Sequence, residues 1–135
     1  MHLLFISEYY PPKIKGGGEI NLSTLAKALA QSGQTVSVLT ANFRALPAYE
    51  EQEGVKIYRR LKTGENPGSL GSNIIRGLLF PRSIAPEAAK LVSEINPDII
   101  HFIGTSIIAA PKLKSLNKPL FATIESYPTL CPKGD

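Results

Sequence analysis

Three consecutive glycines, Gly16-Gly17-Gly18, run directly into Glu19 in the stretch YYPPKIKGGGEINLS. Glycine in series is costly in conformational entropy. Either a ligand needs bare backbone there, or the turn needs angles that other residues resist. At the start of a helix, bare backbone presents unpaired N–H groups and about half a positive charge from the helix dipole. A phosphate or a sugar hydroxyl can approach such a backbone closely. Lys13 and Lys15 add positive charge beside it. Glu19 suits the dipole in the first turn but would repel a phosphate held close, and it accepts hydrogen bonds from neutral hydroxyls more readily. The spacing is not G-x-G-x-x-G and no acidic residue closes the second strand, so a dinucleotide fingerprint is unsupported; a P-loop is missing as well. A flexible turn is the plain alternative.

Other candidates are single residues. His101 lies near the end of an apolar run and reads either as a rim or core histidine or as a site residue. Glu125 follows the last apolar run, where a carboxylate can act in catalysis or cap a loop. Gly104-Thr105-Ser106 opens a helical stretch and reads as a second anion or hydroxyl site or as ordinary capping. Glu8, Tyr9 and Tyr10 sit on the first loop, where the aromatic rings either stack on a sugar or fold the loop back. Cys131 is a single cysteine, so neither a disulfide framework nor a zinc motif is present. No metal site is expected.

These residues need elements to position them. HLLFIS (2–7), TVSVLTA (35–41), GVKIYRR (54–60), DIIHFI (98–103) and PLFATI (119–124) read as strands. The third alternates Val55, Ile57 and Arg59 against Lys56, Tyr58 and Arg60, as a more exposed edge strand would. Leu22, Leu25, Ala26 and Leu29 follow i, i+3, i+4, i+7 spacing, and Gly33 ends that helix. Ile84 to Ile95 repeats the pattern, with Ser83 as cap, Pro86 in the first turn and Asn96-Pro97 as stop. Residues 105–117 should be helical, shortened or kinked by Pro111, and 62–73 reads as a loop. Alternating strands and helices predict a Rossmann-like three-layer αβα fold with a mostly parallel sheet of order 3-2-1-4-5. Ligands in such sheets bind beyond the carboxyl ends of the strands, where strand order reverses. The glycine run falls at that point.

The chain has 135 residues, enough for one domain with a real core. Its 15 basic and 11 acidic residues give a net charge of +4 but form no basic arm, so no nucleic-acid partner is expected. The N-terminus lacks a basic, apolar leader and no run is long enough to span a bilayer, which predicts a cytoplasmic protein, soluble or peripheral at the inner face of a membrane. Peripheral contact would fall to NIIRGLLFPRSI, Asn73 to Ile84, which mixes Ile74, Ile75, Leu78, Leu79 and Phe80 with Arg76 and Arg82. The favoured reading of that stretch is a core helix under a polar cap.

Taken together, FISEYYPPKIKGGGEINLSTLAKALAQSGQTVSVLT, NPDIIHFIG and KPLFATIESYPTLCPKG resemble the N-terminal half of family 4 glycosyltransferases, retaining enzymes of the two-Rossmann-domain GT-B type. Gly16 to Glu19 fall on the family's G-G-x-E helix start. Glu125 and Ser126 occupy the places of its His-Asp pair, and Ile103 replaces a second histidine two residues after His101. The family histidine at the position of Glu125 contacts the transferred sugar near its reacting carbon. The resemblance implies a truncated acceptor-side domain over 1–135, lacking the C-terminal domain that holds the nucleotide sugar. It implies transfer of a sugar to an acceptor hydroxyl with retention, with the fragment inactive alone and no cofactor beyond the nucleotide-sugar substrate. Glu125 would be catalytic; Gly16, Gly17, Gly18, Glu19, His101, Thr105 and Ser126 would bind substrate. A truncated face would invite self-association. The rival is a Rossmann-like binding or interaction module without chemistry.

Overall fold

The computed structural model describes residues 1–66 and 68–125. The chain alternates β1 (His2–Ile6), α1 (Gly17–Gln31), β2 (Thr35–Ala41), β3 (Tyr49–Gln52), β4 (Val55–Leu61), α2 (Leu70–Ile95) and β5 (Ile99–Ile103). A 3₁₀ segment (Gly104–Ala109), the single turn α3 (Ala110–Leu113), another 3₁₀ turn (Lys114–Leu116) and β6 (Leu120–Thr123) follow. Among the described residues the sheet has six strands in the order β3-β4-β2-β1-β5-β6. β1 pairs in parallel with β2 and β5, β2 with β4, and β5 with β6. Helix α1 covers one face and α2 with α3 the other, giving the three-layer αβα fold.

The order expected for the five apolar strands holds, with one correction. β3 adds an antiparallel edge to β4. Its residues, Tyr49-Glu50-Glu51-Gln52, carry no apolar alternation that would mark a strand. The hairpin is closed by Glu53 and Gly54 at φ of 51° and 80°, the left-handed geometry of a two-residue hairpin turn. β4 is therefore not an edge. Its Val55, Ile57, Arg59 and Leu61 all point inward and are buried. The Arg59 guanidinium, only 1% exposed, pairs with Glu50 and donates to the carbonyls of Pro47 and Pro11.

Alternate residues of the strands feed two cores. Leu3, Phe5, Val36, Val38, Val55 and Ile57 meet Leu22 and Ala26 of α1. Leu4, Ile6, Leu39 and Leu61 meet Phe80, Ile84, Ala88 and Leu91 of α2.

Helix α2 departs furthest from expectation. It starts at Leu70, so residues 70–73 are not loop, and Ser69 rather than Ser83 is its cap, accepting from Ser72 N at 3.2 Å. Ser83 sits mid-helix, where its Oγ donates to Phe80 O and accepts from Lys62 N. Pro81 and Pro86 lie inside the helix, although each removes a backbone donor. Side chains supply bonds close by: Arg82 Nη1 donates to Leu78 O at 2.7 Å. The expected core helix under a polar cap over 73–84 is also corrected. Phe80 and Ile84 are buried, whereas Ile74, Ile75, Leu78 and Leu79 face water. The 26 residues of α2 span about 39 Å, against roughly 17–23 Å for strands of five to seven residues. Because β5 starts level with β1, the excess projects past the carboxyl edge of the sheet.

Candidate functional site

The carboxyl edge carries an open pocket of about 490 Å³. The loop after β1 contributes Ser7, Glu8 and Tyr9; the start of α1 contributes Lys15 to Glu19. The end of β5 and the turn after it supply Ile103, Gly104 and Thr105, the segment after β6 supplies Glu125, and the projecting part of α2 supplies Arg76. The pocket lies between β1 and β5, where strand order reverses.

The three glycines have different surroundings. Gly16 caps α1 with φ −166° and ψ −164°, an extended conformation open to any residue. Neither Gly17 nor Gly18 has positive φ. A Cβ at Gly16 or Gly17 would meet nothing within 4 Å. Backbone angles and packing therefore both leave those two positions unexplained. At Gly18 a Cβ would come 2.0 Å from Glu125 Oε2, so the bare backbone there makes room for a carboxylate at the positive end of α1.

Glu19 Oε2 accepts from Gly16 N at 2.8 Å and Lys15 N at 3.2 Å. It thereby fixes the helix start as well as lining the pocket. Glu125 lies across from it. Burial and the nearby Glu19 charge both raise the pKa of the Glu125 carboxyl above its ordinary value.

On the opposite wall Glu8 is buried. Arg76 binds it bidentately, Nη2 to Oε2 at 2.6 Å with Nε on Oε1, and Thr63 Oγ1 donates at 2.9 Å. The carboxylate holds the guanidinium above its already high pKa. Tyr9 and Tyr10 are buried, and Tyr9 stacks on Phe43 with centroids 6.1 Å apart, so the aromatics fold the first loop back.

Thr105 lines the pocket, while Ser106 next to it is structural: its buried Oγ accepts from Ile103 N and lies 2.7 Å from Ile6 O. His101 is not brought into the pocket. It sits mid-strand in β5, its Nε2 2.8 Å from Thr123 Oγ1 and its ring 5.2 Å from that of Phe5. Burial lowers its pKa. Ser126 lies outside the described residues. Sequence reasoning did not place Arg76 in the site. Its signal was a lone arginine on the side of α2 away from the aliphatic residues, legible only once the helix is known to begin at Leu70.

The sequence model described as Glycosyltransferase Family 4 matches residues 15–128. An uncharacterized glycosyltransferase of Methanocaldococcus jannaschii is 39% identical over 59 residues, covering 44% of this chain and 15% of that protein. An uncharacterized 42.6 kDa protein of the cps region of Klebsiella pneumoniae is 29% identical over 98% of this chain and 38% of its own length. The chain thus spans well under half of either relative. Among solved structures, sucrose-phosphate synthase of Thermosynechococcus elongatus superposes with a TM-score of 0.74 at 18% identity, covering 96% of this chain and 34% of that one. The catalytic domain of starch synthase IV of Arabidopsis thaliana, bound to ADP and acarbose, gives 0.67 at 16% identity, covering 94% and 34%. These neighbours share the Rossmann-like fold of GT-B enzymes.

Proposed function

This chain belongs to glycosyltransferase family 4, and we propose that it forms the acceptor-side wall of an enzyme that moves a sugar from a nucleotide sugar to an acceptor hydroxyl with retention. The observation that carries this reading is the glycine run. Gly16 and Gly17 are bare where neither backbone angle nor packing requires it, at the carboxyl edge where α/β sheets hold ligands.

The amides of the first turn of α1 orient the transferred sugar or stabilise the leaving diphosphate. Three carboxylates, Glu8, Glu19 and Glu125, line the pocket against the two cations Lys15 and Arg76. That balance favours hydroxyl-rich ligands, with the diphosphate confined to the backbone at the helix start. Thr105 and Glu19 bind sugar hydroxyls. Glu125 stands where the family has a histidine and contacts the sugar near the reacting carbon; Ser126 follows it. His101 supports β6 through Thr123 and acts on the ligand only indirectly. The nucleotide sugar is a substrate, so no resident cofactor is needed. Starch synthase IV, similar in fold, is bound to ADP and acarbose, which supports a nucleotide and a sugar as the ligand pair.

Transfer requires a donor held opposite this wall in the reacting geometry. The 135 residues alone are therefore proposed to be inactive, in a cytoplasmic setting. The test is transfer from labelled UDP, GDP and ADP sugars, comparing the 135-residue chain with the longest natural polypeptide that contains it. NMR of the product anomer reads the stereochemistry. Product only from the longer polypeptide, with retained configuration, is the expected result. An inverted product, or turnover by the 135 residues alone, contradicts the proposal.

A further inference from the structure

Helix α2 has a face that the pocket does not use. Its buried residues begin at Phe80, and the turns before it project beyond the sheet. Leu70, Ile74, Ile75, Leu78 and Leu79 are 40–79% exposed. At about 100° per residue they share one half of the helix circumference with Arg82, while Arg76 and Phe80 occupy the other half. Scattered exposed aliphatics are ordinary, but five on one helix face form a contiguous patch.

This face is held outward. Arg76 is tied through two bonds to the buried Glu8 carboxylate. Gly64 packs so closely on the first turn that a Cβ there would lie 2.2 Å from Ser72 O. Ser72 Oγ accepts from Asn66 N at 2.9 Å. Rolling the helix to bury Ile74 and Leu78 would pull Arg76 off a buried charge, so the fold fixes the aliphatic side chains in water.

We propose that this face docks on an anionic lipid surface. From Leu70 to Pro86 no acidic residue occurs. Arg82 is exposed within the face. Aliphatic side chains around an arginine, on a stretch of helix without acidic residues, match the chemistry of a headgroup–acyl boundary. A second copy of the chain would bring a second Arg82 to the same patch with no acidic residue of the helix to pair with it, which disfavours a dimer there. Among the described residues no helix is long and apolar enough to cross a membrane, so the contact is peripheral. Because Arg76 on the same turns lines the pocket, docking would set the pocket at the lipid surface. Vesicle binding requires neither sugar nor catalysis, so its outcome is separate from that of the glycosyl-transfer reading.

The experiment is co-sedimentation of the 135-residue chain with large unilamellar vesicles. One set is pure phosphatidylcholine; the other is an equimolar mixture of phosphatidylcholine and phosphatidylglycerol. The chain should bind the mixed vesicles, bind the neutral ones far less, and lose binding as salt rises. Ile74→Ser with Leu78→Ser should lower the partition coefficient about tenfold or more. Arg82→Glu should also weaken binding. All three positions are exposed, so circular dichroism and Tm should match the parent. Absence of binding to the mixed vesicles overturns the proposal, as does binding unchanged by these variants. A dimer in analytical ultracentrifugation that Leu78→Ser dissolves, without vesicle binding, assigns the face to a second copy and overturns it as well.

Discussion

Replacing Arg76 by alanine is expected to destabilise the fold by about 3 kcal/mol and to lower Tm by about 10 °C. The cost comes from what is left behind. Glu8 is 5% exposed, and without the guanidinium its carboxylate keeps, among the described residues, only Thr63 Oγ1 as a side-chain donor. Removing one partner of a buried pair strands the other charge away from water. The figure is set at the low end of the range because the Arg76 side chain is itself 29% exposed. Replacing both partners, Glu8→Leu with Arg76→Leu, removes the stranded charge and should recover most of the loss. Arg60 and Glu94 form an equally well-aligned bidentate pair on the surface, and Arg60→Ala should change Tm little. A parental Tm for Arg76→Ala in thermal unfolding would show that the Glu8–Arg76 pair does not anchor the projecting half of α2.

Gly17→Val is expected to separate binding from folding. Its Cβ would meet no atom within 4 Å, and Gly17 does not have positive φ. Valine at a helical position is no worse than glycine in propensity, so Tm should hold or rise slightly. The branched side chain would instead stand over the amides of the first turn of α1. Binding of UDP, GDP or ADP sugars by the longest natural polypeptide that contains this chain should weaken by about tenfold or more, about 1.4 kcal/mol. Gly17→Ala should fold equally well and lose less. Calorimetric titration beside thermal unfolding gives both readouts. A sharp fall in Tm for Gly17→Val, with normal binding by Gly17→Ala, would mean that the glycines serve the turn. Parental folding and binding by both variants would refute a ligand role for the run.

The parallel core of this fold was legible because strands buried on both faces read as continuous apolar runs, as in Leu3 to Ile6 and Ile99 to Ile103. β3 was not, because Glu50, Glu51 and Gln52 form an edge strand whose pairing rests on backbone bonds and the Glu53-Gly54 turn. The N-terminal half of α2 was hidden for a different reason. Gly71, Gly77 and Pro81 break the local helix signal, and its aliphatic residues face solvent, so burial periodicity misreports their side. Arg59 shows the limit of residue type: alternation placed it correctly beside Val55 and Ile57, but only the carbonyls of Pro47 and Pro11 explain a buried guanidinium. At the site, the sequence located the glycine run, Thr105 and Glu125 at one sheet edge. It left Glu8 and Arg76 as separate residues, since their contact joins positions 68 apart in the chain through a helix overhang that no local pattern encodes.

The central claim is that the start of α1 is a binding surface for a sugar-bearing ligand, and amide NMR tests it most directly. In a titration of the longest natural ¹⁵N-labelled polypeptide that contains this chain with UDP, GDP and ADP sugars, saturable shifts should concentrate on the amides of Gly16 to Glu19, Gly104 and Thr105. The strand β3, at the far edge of the sheet, should stay silent, and Gly17→Val should abolish the response. Saturable shifts centred elsewhere, or none from any of these ligands at millimolar concentration while the spectrum is that of a folded chain, would contradict the account.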